Sequence, residues 1–145
     1  MPFPLIAVVE GGVRFPLHPL LRACLSSWNL TPCQLMPNAF KVIMGTVALN
    51  KHLHINLDIR DIEDVYDLCK TKEGTYYLRL KPKRRPFVNA LEDSNKYVGD
   101  DIISVSGNWE FGPEEEARVY SIPRYPGVAP STEFSMLFLK NPLLF

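Results

Sequence analysis

The side chains able to do chemistry fall into a few groups, and their spacing decides what each group can do. Carboxylates come first. A retroviral-type protease needs an Asp-Thr/Ser-Gly turn to pair two carboxylates, and the nearest match, Asp93-Ser94-Asn95, lacks the glycine. A reverse transcriptase needs adjacent aspartates in a Tyr-x-Asp-Asp hairpin. Tyr97-Val98-Gly99-Asp100-Asp101 carries an extra glycine and reads as a Gly-Asp turn ahead of a strand. Two-metal catalysis needs acids from separate elements meeting at one point. Seven of the 16 acids lie instead on a helix face within 59–70 or in the run Glu114-Glu115-Glu116, where solvation is their ordinary role.

Metal and thiol chemistry meet the same obstacle. A zinc knuckle needs closely spaced cysteines and a histidine, and that spacing is absent. His52 and His54 flank Leu53 and read as decoration of a helix end, while His18 stands far from both. Cys24, Cys33 and Cys69 fall on apolar helix faces and read as buried thiols rather than nucleophiles. Three cysteines with no Cys-x-x-Cys spacing point to reduced thiols in an intracellular protein. No glycine-rich phosphate loop appears. The sequence therefore predicts no catalytic residue, no metal site and no cofactor.

The best local signal is basic. Arg79, Lys81, Lys83, Arg84 and Arg85 crowd into one short stretch, RLKPKRR. Such a cluster would contact phosphates or serve as a nuclear-import address, with Tyr77, Tyr76 and Phe87 beside it to stack on a single strand. The competing reading is a solvated hairpin turn whose lysines blunt a sheet edge. The acidic helix before it balances the charge and favours the turn.

These residues must be held by a fold, and 145 residues suffice for one domain with a real core. Net charge is zero, so no global field steers the chain to nucleic acid or membrane. No apolar run approaches the roughly 20 residues of a spanning helix. The apolar N-terminus has no basic region before it and contains two prolines, which argues against a secretory signal.

The spacing of apolar residues predicts a first helix over 19–28, opened by Pro19 at its first position. Thr31-Pro32-Cys33-Gln34 reads as a capping box holding a single turn. The longest helix runs over 37–52 and is apolar on most sides, which implies burial among several neighbours. Gly45 within it implies close approach of another element. Asp58 caps a third helix over 59–70. Strands follow at 75–80 and 102–106, with Phe87-Val88 starting a return strand and a last strand over 117–122. Leu5–Val9 reads as a short strand or extended arm. Helices first and strands afterwards predict an α+β fold, N-terminal helices packed on a small antiparallel sheet, with a Pro-rich C-terminal tail. The expected domain spans 13–122, with 1–12 and 123–145 as arm and tail. The expected core is Leu21, Leu25, Trp28, Phe40, Ile43, Val47, Ile62, Tyr66, Leu78, Ile103, Val105 and Trp109.

Three stretches, VRFPLHPLLRACL, LTPCQLMPNAFKVIMG and FVNALEDSNKYVGDDIISVSGNWEF, in this order, resemble the gypsy-type transposon domain of plant genomes. That family shows a similar RFPLHP opening, a P-x-QL-x-PNA segment running into an apolar helix, and a Ser-Asn-Lys segment before a strand ending in SG-x-W. The resemblance spans about residues 13 to 112. It implies a module of a retrotransposon-derived plant protein, and it carries no catalytic residues onto this chain. Two functions are expected. One is a non-enzymatic structural or interaction module that binds a protein partner or itself, and no membrane. The other is a nucleic-acid-binding domain using the basic turn 79–85.

Overall fold

Pro19 and Pro37 each open a helix, because a proline at the first helical position gives up an amide that would be unpaired there anyway. A computed structural model describes residues 1–88, 101–113, 115 and 122–127. In chain order the elements are β1 (Pro2–Pro4), α1 (Leu5–Val9), α2 (Pro19–Trp28), a 3-10 turn (Pro32–Gln34), α3 (Pro37–Leu53), α4 (Ile59–Val65), β2 (Tyr66–Lys70), β3 (Tyr76–Leu80) and β4 (Ile102–Ser104). The fold is α+β. Among the described residues its strands form two separate antiparallel pairs, β1 with β4 and β2 with β3, rather than one sheet.

The first half of α3 is the centre of the core. Ala39, Phe40, Val42 and Ile43 are fully buried, and Thr46 turns its hydroxyl back to Val42 O at 2.8 Å. The last turn of α3 is exposed, so the all-round apolar pattern marks burial only over its N-terminal turns. Leu21, Leu25, Ile62, Tyr66, Leu78 and Trp109 join Phe40 and Ile43 in one buried cluster, with Trp28, Val47, Ile103 and Val105 packed partly buried against it. Val88 packs on α3 at Gly45, where any Cβ would run into a Val88 methyl. This is the close approach that the glycine implied.

Several expected elements are corrected. Leu5–Val9 is helical, and the strand lies just before it at Pro2–Pro4. The two prolines hold 2–4 extended, and Pro2, Phe3 and Pro4 pair with Ser104, Ile103 and Ile102. The helical turn then brings Ala7 onto α3, where Gly11 leaves no room for a side chain between Ala7 and Phe40. The segment expected to be an arm thus supplies a strand and the fully buried Phe3 and Ala7. Ile122, Pro123 and Arg124 are buried as well, at the place where a tail was expected to begin.

The helix expected over 59–70 ends at Val65, and Tyr66–Lys70 is a strand. Its register sets Asp67 opposite Arg79 and Cys69 opposite Tyr77 on one face, with Leu68 opposite Leu78 on the other. Tyr66 and Leu68 share a face at strand spacing just as Ile62 and Tyr66 do at helical spacing. The β3 partner decides between the two periods. Phe87-Val88 is not a strand: Phe87 N donates to the Tyr66 hydroxyl at 3.0 Å. β4 ends at Ser104 rather than 106, although Val105 still exchanges hydrogen bonds with Met1. The last strand expected over 117–122 lies, but for Ile122, outside the described residues.

Candidate functional site

The basic turn follows directly from the β2–β3 pairing. Thr71 N to Thr75 O at 2.8 Å and Lys81 N to Val65 O at 2.9 Å close the two ends of the hairpin. The outer edge of β3 is covered by the start of α3. Met36 N donates to Tyr76 O at 2.8 Å, and Asn38 Nδ2 donates to Leu78 O at 2.9 Å. The chain therefore leaves β3 directly beside the C-terminus of α4.

Four carbonyls at a helix C-terminus have no partner within the helix. In α4 each finds one. Ile62 O accepts from Tyr66 N. Glu63 O accepts from Lys81 Nζ at 2.7 Å, and Asp64 O from Arg84 Nε at 3.1 Å. Val65 O accepts from Lys81 N. Two of the expected phosphate contacts are thus helix caps, and their charges oppose the negative end of the helix dipole. Arg84 also reaches the Asp64 carboxylate at 3.5 Å, and Arg79 reaches Asp67 at the same distance. Both pairs are exposed and contribute little by themselves.

Lys83 and Arg85 differ. Both are exposed, and among the described residues neither makes a hydrogen bond or ion pair. Lys83 lies in the left-handed region, with φ of 64°. Tyr77 is half-buried on the same outer face as Arg79. The structure therefore brings Arg79, Lys81, Lys83, Arg84 and Arg85 to one end of the hairpin but turns only part of the set outward.

The remaining candidates are scattered. Asp93-Ser94-Asn95 and Asp100 lie outside the described residues, and Asp101 uses its backbone carbonyl to accept from Leu5 N at 3.0 Å. His52 and His54 are exposed at the end of α3. Among the described residues no three His, Cys, Asp or Glu side chains are grouped to hold a metal. Cys24 is buried, and burial, with Glu63 adding to it, pushes its thiol up to about 12. Burial also pushes the Cys33 thiol up. Neither is a ready thiolate at neutral pH. The expectation that all three cysteines lie on helix faces is corrected: Cys24 is on α2, Cys33 in the 3-10 turn, and Cys69 on the outer face of β2.

Three arrangements were not foreseen. His18 is the N-cap of α2, its Nδ1 accepting from Leu20 N at 3.1 Å. The only trace in the sequence is its place just ahead of Pro19. Arg22, buried in α2, pairs with Glu115 and lies over the Phe111 ring at 4.6 Å. Arg124 grips Glu110 through two hydrogen bonds of 3.0 and 2.8 Å and lies over Trp109 at 4.7 Å. Glu115 lies 93 residues from Arg22 and Glu110 14 from Arg124, spacings that no helix or strand period announces.

No family model, curated protein or solved structure matches the chain. Among the described residues no helix is long and apolar enough to cross a membrane.

Proposed function

We propose that this chain is a non-enzymatic structural or interaction module of a retrotransposon-derived plant protein, acting inside the cell on a protein partner or a second copy. What supports this is the use made of the polar residues in the stretches that carry the resemblance. His18 caps α2, Gln34 Oε1 accepts from Thr31 N at 2.9 Å, and Asn38 binds the edge of β3. Leu17 N donates to Trp109 O at 2.8 Å, which joins the RFPLHP opening to the SG-x-W ending. A motif built for a reaction would converge its polar groups on one substrate. These groups instead each serve nearby backbone, so the motif specifies a fold.

The test has two arms. Sedimentation over a range of concentrations should show self-association, or the chain should retain a protein partner only when it is folded. Incubation of the chain with nucleic acid and magnesium or manganese should give no turnover. Metal-dependent cleavage lost in Asp100→Ala or Asp101→Ala would overturn the reading.

The alternative is a nucleic-acid-binding domain using the turn 79–85. The exposure of Lys83 and Arg85 near Arg79 and Tyr77 favours it. On this reading Lys81 and Arg84 position the turn, and Lys83 and Arg85 touch phosphate.

A further inference from the structure

We propose that His18 makes the start of α2 an acid-sensitive clasp, closed while its imidazole is neutral and released when it is protonated. Pro19 has no amide hydrogen, so Leu20 N–H is the first unpaired donor of the helix. It is held by His18 Nδ1 at 3.1 Å, with His18 extended at φ −63° and ψ 141°. An N-cap is usually Ser, Thr, Asp or Asn, whose acceptor oxygen survives mild acid. Imidazole accepts only while one nitrogen is bare. Protonation removes the acceptor and sets a positive charge at the positive end of the helix dipole.

The surroundings sharpen this. The charged groups around the imidazole are Arg22, one turn along α2, and Glu115 from the loop that follows Trp109. Burial first, and then Arg22, hold the imidazole below its ordinary range, while Glu115 pulls the other way. Glu115 itself is held low by the Gly112 amide and by Arg22, so it stays ionised through mild acid. The clasp reaches beyond the helix, because Leu17, the residue before His18, donates to Trp109 O at 2.8 Å. Opening at His18 therefore loosens the contact of the 15–18 segment with Trp109 and Glu115, while α3 has its own support.

As pH falls, the open or unfolded chain takes up the proton before the closed one. The stabilisation is therefore present above the ordinary histidine value of about 6.5 and is lost as pH falls through the lower folded value. Between about pH 7.5 and 5.5 the linkage permits at most about a ten-fold loss of closure.

Amide hydrogen exchange on the full chain at these two pH values, corrected for intrinsic rates, tests the clasp. Protection of Leu20 and Leu17 should fall by up to about ten-fold, while that of Ile43 in α3 holds. His18→Asn keeps an acceptor that does not titrate and should abolish the change. An equal fall in His18→Asn, an equal fall at Ile43, or no fall in the unaltered chain would each overturn the proposal. Should His18→Asn fail to fold, the imidazole titration of the unaltered chain, followed by NMR, decides. A His18 midpoint below about 6.5 supports the clasp, and one at or above it refutes it.

Discussion

The Lys81 ammonium donates to the backbone carbonyl of Glu63 at 2.7 Å, across the junction where α4 becomes β2. The carboxylate of Glu63 is not its partner. A residue that reads as a free cation in the sequence is thus a cap for a helix eighteen positions earlier.

Removing the caps should therefore lower stability, while removing the outward cations should not. Lys81→Met and Arg84→Met should each cost about 0.5–1 kcal/mol, the usual worth of a cation on a helix C-terminus. Lys83→Met and Arg85→Met should stay within about 0.5 kcal/mol of the unaltered chain. Urea midpoints at constant slope read the difference. Equal losses at all four positions would show that the caps are not what holds this corner.

Salt dependence separates the two functional readings. If Lys83 and Arg85 each neutralise a phosphate of a single strand, together they contribute roughly −1.4 to the log–log slope of affinity against salt. Fluorescence titrations at several salt concentrations should then show the slope flatten by that amount in the double alanine variant, with stability unchanged. Absence of binding at low salt returns the turn to a purely structural role.

Arg124→Ala should be far more damaging than any change in the turn. The Arg124 and Glu110 side chains are 3% and 5% exposed. Truncation would leave a carboxylate buried with its guanidinium gone, at a cost of about 3–5 kcal/mol. Thermal unfolding of this variant should show a large drop in midpoint.

Cys24 should resist alkylation in the native chain at neutral pH and react only after denaturant is added. Its thiol loses a proton near 9 when unfolded and about 12 when folded. The folded chain therefore holds the proton more tightly between these values, and stability should fall as pH rises from about 9 toward 12. Cys24→Ala should weaken that alkaline loss, read as the pH dependence of the urea midpoint. An unchanged profile would place the alkaline sensitivity elsewhere.

The amino-acid order alone fixed what is local. Pro19, Pro37 and Asp58 announce the starts of α2, α3 and α4, and each helix begins where its signal stands. Apolar spacing along α2 and α3 named Leu21, Leu25, Phe40 and Ile43 as core, because burial of a helix face depends on a period written into the chain. Gly45 foretold a close neighbour without saying which.

What needed a distant partner stayed hidden. Tyr66–Lys70 carries no break signal, and it becomes a strand because Tyr76–Leu80 lies ready to pair with it. Pro2–Pro4 becomes β1 because Ile102–Ser104 comes back alongside. The basic cluster shows the same limit at the level of the site. Its charges are legible, but whether a lysine faces a phosphate or a helix carbonyl depends on where α4 ends. That end is set by the hairpin, through contacts many residues apart. Sequence decides which groups are available for chemistry, and only the tertiary structure decides which of them are already engaged.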